Sequence, residues 1–497
     1  VRRAARMRRV DRGHPPARVV SAGPVAVVGG PSAQWRIVPA LLIVAFAVLA
    51  GLAAGDPSPQ WWGPVVVVGG GAVLLAGARW PFAGLLVMLG SSILLVVAMA
   101  VGLRSVNTFD LLMPPVLLAS AFGAARRDAR AHAQAERGPA HDRLHAAERG
   151  FTRAVLLFYA LAAVSLGRLA VVAGVDSALE SGLSLARALQ GVLLYPLCAW
   201  WLRTRSRVEH AWSALFVAGA ALALVNLIGV SAWQVQRAGM TLFLNNPDRL
   251  SDPNEAGTAT LIVGVVLLVR QAMRPDWKNL ALGALMVVLL GLTQSRSGIL
   301  AWAAFALFTL RWVRPARLMT GALTIGALLP MLPPRFWIRM MRSVVVERGS
   351  NEALSYFQRV FGWGTAWRVF LDQPLLGVGY LGFRFVSHRY NEFRVVLITV
   401  ENYFFEILVS MGVVGLALLA IVIVKLFQLG REVGRTAPPG TLAHHMARFH
   451  APLVLGLLVA NLTGDNFMGM VGVAQLSIWT AVLVRAGHAA VAEGARG

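Results

Sequence analysis

Long apolar runs recur along the whole chain. They fall near 37–54, 62–78, 81–102, 106–124, 154–174, 184–202, 211–230, 256–272, 279–294, 297–313, 317–333, 402–428, 450–465 and 469–485. Most approach the roughly 17–25 residues an α-helix needs to cross a hydrocarbon core of about 30 Å. The runs are continuous and do not alternate, which excludes a β-barrel. The pattern predicts an all-α polytopic membrane protein with about 12–14 transmembrane helices, the spread reflecting short runs that only re-enter the bilayer. The polar interval 333–400 predicts one large helical loop between spans.

Charge orients the spans. With the N-terminus inside, the inner connections carry Arg79, the 125–153 run, Arg203, Arg205 and Arg207, then Arg270, Arg274 and Lys278. They continue with Arg311, Arg314 and Arg317, and with Lys425, Arg431, Arg435 and Arg448. The outer connections, such as Gly55–Gln60 and Val175–Gly182, are short and poor in charge, as the positive-inside pattern requires. The expected organisation is a cytoplasmic Arg-rich tail (1–36), transmembrane helices (37–332) with a cytoplasmic loop (125–153), and an extracytoplasmic loop (333–400). Further transmembrane helices (401–486) and a cytoplasmic tail (487–497) complete it. Residues 1–36 hold eight arginines and no long apolar core, so they read as a tail and not as a cleavable signal peptide. The 333–400 loop breaks the charge rule. Nine arginines there face only four acids, Glu347, Glu352, Asp372 and Glu392. An anionic substrate at the outer membrane face is the simplest reason.

Composition narrows the classes. The chain is 57% hydrophobic and 14% charged with mean hydropathy +0.64, too little polar surface to cover a water-soluble protein. The net charge of +23 is the sum of topology-holding loops, so nucleic acid is not an expected partner, whereas membrane lipids are. Cys198 is the only cysteine, which leaves no disulfide framework and no thiolate cluster. His132, His141 and His145 read as part of a charged solvated face, and His444-His445 likewise, so no metal site and no cofactor are expected.

Four segments converge on the outer side. Thr293-Gln294-Ser295-Arg296-Ser297-Gly298 forms a tight polar turn between two spans. Arg296 there either snorkels to headgroups or enters a cavity, with Ser295 beside it. Ser251-Asp252-Pro253-Asn254-Glu255 opens a span; Asn254 is a helix cap or a substrate contact. The amphipathic stretch 352–371 presents Arg359 and Trp363 and leads to Pro374-Leu375-Leu376-Gly377-Val378-Gly379. Glu401-Asn402 begins the next span, with Glu406 deeper, where an ionisable group is costly and wants a partner such as Arg296 or Arg359. Arginine forks suit phosphate and pyrophosphate. A carboxylate such as Glu401 or Glu406 can take a proton from a sugar hydroxyl. The chain holds no Asp-x-Asp motif, so metal-dependent sugar-nucleotide chemistry is not indicated.

On these residues the chain resembles the O-antigen ligase and O-antigen polymerase family of bacterial membrane glycosyltransferases, over roughly 240–430. The resemblance implies a C-type glycosyltransferase fold in the bacterial inner membrane. It implies a polyprenyl-pyrophosphate-linked oligosaccharide donor and a glycan or lipid-linked acceptor. Arg296 and Arg359 match the family's two pyrophosphate-binding arginines. A histidine usually precedes the asparagine at the start of the long span in ligases; Glu401 stands there here, and His388 is the nearest alternative base in the loop. That departure favours an inverting polymerase over a ligase acting on lipid A core. Asn254, Ser295, Trp363, His388 and Asn402 are further candidate contacts. A lipid-linked glycan transporter or flippase, or a non-catalytic assembly scaffold, would share the arginines and the spans, but the transporter would work without the carboxylate.

Overall fold

Gly174 divides one long apolar stretch into two helices; its φ of 94° lies in a region L-residues avoid. The computed structural model describes residues 81–91, 96–101, 104–107, 139–232, 241–243, 250–251, 253–310, 334–344, 351–465, 467–468 and 470–494, with a few single positions between 113 and 118 and between 326 and 332. The 1–36 tail, the spans near 37–54 and 62–78, most of 317–333 and Asp252 lie outside the described residues.

The helices are α1 (Pro81–Ser91), α2 (Pro139–Ala173), α3 (Val175–Trp201), α4 (Arg205–Ala232), α5 (Pro253–Met273), α6 (Trp277–Thr293) and α7 (Arg296–Thr309). The loop supplies α8 (Pro334–Val344), α9 (Asn351–Asp372) and the single turn α10 (Phe383–Val386). The chain closes with α11 (Tyr403–Thr436), α12 (Leu442–Leu462) and α13 (Met470–Gly494). Four of these, α2, α3, α5 and α11, are long and apolar enough to cross a bilayer; α6 and α7 are shorter apolar helices. At 1.5 Å per residue, α2 runs about 52 Å and extends beyond the hydrocarbon. α5 is enclosed on all sides, with every residue from Ala256 to Leu267 buried, so it is the core helix of the bundle.

Three expectations change. The run near 81–102 is not one helix: α1 ends at Ser91, and β1 (Val96–Val101) follows, paired with β2 (Arg104–Asn107). β3 (Thr241–Phe243) lies parallel to β1 and antiparallel to β4 (Leu250–Ser251), giving the order β2-β1-β3-β4. The fold is therefore helical with one small sheet. Valine-rich Val96–Val101 favours the pleated form, and an open sheet edge does not sit in lipid. Finally, of the solvated helix or flexible link expected at 125–153, a helix is what forms from Pro139 onward: it is the first part of α2, and its Leu144 and Phe151 pack in the core.

The long span that opens at Asn402 is broken. Gly412 has φ 64° and ψ −164° inside α11, and the segment 374–379 fills the gap. The amides of Val378 and Gly379 donate to the carbonyls of Val409 and Ser410 at 3.0 and 2.9 Å. In return the amides of Val413 and Val414 donate to the carbonyls of Pro374 and Leu375 at 2.9 and 3.4 Å. A Cβ on Gly377 would come within 2.3 Å of the Val409 carbonyl, and one on Gly412 within 2.2 Å of the Leu375 carbonyl, so both positions require glycine. Arg168 of α2 clamps the same segment, donating from Nε to the Gly377 carbonyl and from Nη2 to Gln373 Oε1. The loop is thereby stitched into the bundle through backbone groups that a regular helix would have paired internally.

Candidate active site

Asn402 caps the first half of α11. Its Oδ1 accepts from the amides of Phe404 and Phe405, and its Nδ2 donates to the Leu462 carbonyl at 2.9 Å. The cap forces a sharp turn immediately before it, and Glu401 takes the left-handed conformation there, with φ 50°. Its side chain meets Arg359 of α9: Nε donates to Oε2 at 2.5 Å. Trp363, one helical turn further along α9, donates from Nε1 to the Val400 carbonyl at 3.1 Å and stacks on Phe405 at 6.2 Å. Arg359, Trp363, Glu401 and Asn402 are thus one cluster built by α9 and the start of α11. Asn402 acts in it as a cap, since its side-chain amide is engaged at both ends.

A second cluster forms where α5 and α7 begin. Gly257 and Gly298 let the two helices touch: a Cβ on Gly298 would lie 2.9 Å from the Gly257 Cα. Ser295 is fully buried and is the N-cap of α7, accepting from the Gly298 amide and donating to Asn254 Oδ1 at 2.8 Å. Gln294 ends α6 with φ 50°. Ser295 and Asn254 therefore set the turn, and Arg296, half-buried, is the residue this turn delivers to the first position of α7.

The two clusters sit at one end of the bundle. α12 runs antiparallel to α7: Phe449 packs on Phe305, and Gly456 abuts the Ala301 carbonyl. The same progression carries Leu462 to the level of Arg296, and Leu462 is the residue whose carbonyl holds Asn402.

Glu406 does not take the expected arginine. It is buried and accepts from Ser410 Oγ at 3.1 Å, while the Val400 backbone also bonds it. Arg359 is committed to Glu401 instead. The physical reason is the helix itself: Ser410 lies one turn on, directly beneath Glu406. His388 stands on a short 3-10 turn, Ser387–Arg389, and its Nδ1 is buried without a hydrogen-bond partner among the described residues; no described contact joins it to Glu401. Two residues escaped the sequence reading. Arg168 clamps the loop from inside an apolar helix. Arg384 pairs through Nη1 with Glu180 Oε1 at 3.0 Å and lies over the Phe385 ring, while its Nε and Nη2 are buried with no hydrogen-bond partner among the described residues. An arginine inside an apolar run could have flagged Arg168; nothing in the sequence separates Arg384 from the other loop arginines.

Arg296, Arg359 and Glu401 also fall within one stretch when the chain is compared with known proteins. Residues 281–420 match the O-antigen ligase family. The match includes the turn at 293–298, Arg359, Trp363, the 374–379 segment and both Glu401 and Glu406; Asn254 lies outside it. It covers under a third of the chain, and it supports the family resemblance and a membrane glycosyltransferase of the O-antigen ligase or polymerase type. A comparison with curated proteins returned no match.

Proposed function

We propose that this protein transfers a glycan from a polyprenyl-pyrophosphate carrier at the outer face of the inner membrane, as a surface-polysaccharide polymerase. The observation that carries the reading is the Arg359–Glu401 contact, a phosphate-binding side chain joined to a carboxylate in a left-handed turn, within the O-antigen ligase match. Arg359 engages Glu401 through Nε; its terminal nitrogens are the pair that a phosphate takes in a forked contact. The donor pyrophosphate binds Arg296 and Arg359, which stabilise the charge that develops on the leaving group. An anion on Arg359 competes with Glu401 and releases its carboxylate toward the acceptor. Glu401 then takes the proton of an acceptor hydroxyl as that oxygen attacks the anomeric carbon, and the polyprenyl pyrophosphate leaves from the opposite side with inversion. Trp363 and Asn402 hold the turn that aims Glu401. Glu406 supports the same half-helix from within.

Purified protein in lipid, given a polyprenyl-pyrophosphate-linked repeat alone, should produce a ladder of longer lipid-linked glycans. Absence of any extension, with the donor intact, would refute the polymerase reading. Deletion in the native cell separates the neighbouring assignment. Accumulated lipid-linked single repeats point to polymerase; accumulated lipid-linked polymer points to ligase. Glu401 in place of the ligase histidine favours the first outcome.

A further inference from the structure

His141 and His145 stand one turn apart on α2, and the fold brings His488 of α13 against both. One ring nitrogen from each of the three half-buried side chains lies within 4.8 Å of the other two. The ring centroids are 4.2 Å apart for His141 and His145, 4.4 Å for His145 and His488, and 5.3 Å for His141 and His488. We propose that His141, His145 and His488 bind one divalent transition-metal ion of the zinc class.

The distances discriminate. Ligands about 2.0–2.1 Å from a tetrahedral zinc stand roughly 3.3 Å from one another. Nε2 of His141 and Nε2 of His145 are already 3.2 Å apart. Two imidazoles at i and i+4 on one helix with a third from another element make a three-histidine face. Imidazole suits zinc, copper, nickel or cobalt and not magnesium or calcium. His488 is also held from behind. Its Nε2 lies 3.0 Å from Glu148 Oε2, and Glu148 in turn accepts from Tyr195 at 3.2 Å and pairs with Arg485. Ligation through Nδ1 of His488 leaves Nε2–H on Glu148, the carboxylate–histidine–metal arrangement that fixes tautomer and ring orientation. Arg485 already balances Glu148, so the carboxylate serves as the outer support and the three neutral rings as ligands. A cavity of about 950 Å³ borders the trio and is lined also by Asp142 and Arg149, which leaves room for a water in the fourth position.

This site is separate from the one at Arg359 and Glu401. The 379–380 segment that packs under Glu401's half-helix touches α2 at Ser165 and Leu169. His145 precedes Ser165 by twenty residues on the same helix, about 30 Å. An ion here would tie the start of α2 to the end of α13.

The test uses the full chain in detergent with an affinity tag that contains no histidine, stripped with chelator. Zn²⁺ is titrated by calorimetry, and Co²⁺ by its visible absorption. The expected result is one ion per chain and a tetrahedral cobalt spectrum. His145→Ala and His488→Gln should each weaken binding about tenfold or more, as should Glu148→Gln through loss of the outer support. His444→Ala/His445→Ala should leave binding unchanged. Wild-type protein that shows no saturable Zn²⁺ binding overturns the proposal without recourse to any variant. So does a monodisperse His145→Ala/His488→Gln double variant that binds as tightly as wild type, or binding lost only in the 444/445 variant.

Discussion

Glu401 occupies a backbone region that non-glycine residues rarely enter, and so does Gln294 beside Arg296. Each costs about 1–3 kcal/mol, and such strain persists where its surroundings enforce it. Here the enforcement is visible: the Asn402 cap on one side and Trp363 on the Val400 carbonyl on the other. The Arg359–Glu401 pair is not a stability device. Both side chains retain solvent exposure, 22% and 37%, and pairs of that kind are worth about 0–1 kcal/mol. Charge-removing substitutions should therefore spare folding and cost activity. Arg296→Ala and Arg359→Ala should each lower glycan extension by a hundredfold or more (about 2.7 kcal/mol of transition-state stabilisation) at normal membrane abundance; full extension by either would remove it from pyrophosphate binding. Glu401→Gln should depress kcat far more than it changes KM for the donor, whereas Arg359→Ala should move both. Steady-state kinetics on the lipid-linked donor distinguishes the two. His388→Ala, by contrast, should extend glycan at near wild-type rate.

At the scale of elements, the interlock of 374–379 with the break at Gly412 sets the loop. Gly412→Ala would place a methyl against the Leu375 carbonyl and hold alanine at φ 64° and ψ −164°, a region essentially confined to glycine, which alone costs about 1–3 kcal/mol. Its expected signature is a lower melting temperature together with faster proteolysis between α9 and α11. A second tether lies farther out. The Tyr390 hydroxyl donates to Asp372 Oδ2 at 2.6 Å and holds that carboxyl below its ordinary range, while burial pushes the Tyr390 phenol up to about 12. The carboxylate's contribution is present above the unfolded value near 4 and is lost as pH falls through the lower folded value. The phenol's contribution is present below about 10 and is lost as pH rises through about 12. Amide protection factors in 383–397, taken against the unfolded-chain rate at the same pH, should stay high between those limits and fall at both ends; Tyr390→Phe should remove both edges. Apolar runs announced α5 and α6 to within three residues at each end, because length and hydropathy alone define a buried helix, whereas α3 begins and α13 ends nine residues beyond the expected runs. The sheet and the Gly412 break were not legible, since each depends on a partner more than thirty residues away: β1 reads as half a span until β3 pairs with it, and Gly412 reads as one more small residue in an apolar helix.

For the whole molecule, the candidate residues were legible individually and their grouping only in part. Arg359 meets Glu401, a pairing the sequence did not single out, and Glu406 bonds Ser410 one turn on in its own helix and not an arginine. His488 was invisible because its partners lie in the first turns of α2, more than three hundred residues earlier. The two ends of α2 now carry different chemistry, about 30 Å apart, close to the thickness of a hydrocarbon core. Single-cysteine labelling would test this placement, and Cys198 is buried and alone, so background is low. With Cys198 replaced by alanine, Glu392→Cys should react with an impermeant maleimide in intact spheroplasts. Glu209→Cys, beside the exposed Arg205–Glu493 pair, should react only after permeabilisation. Equal reactivity of the two would place both ends of α2 on one face.

The break at Gly412 also bears on how the chain is made. Segment 374–379 is synthesised about thirty-five residues before the groups it must satisfy, and it has to wait on the correct side of the membrane for them to arrive. A chain that threads the loop to the wrong face strands the carbonyls of Val409 and Ser410 and the amides of Val413 and Val414 in lipid, several kcal/mol for each. The half-helix is complete only once the loop has closed on it, so the insertion of this span and the threading of the loop are one event and not two.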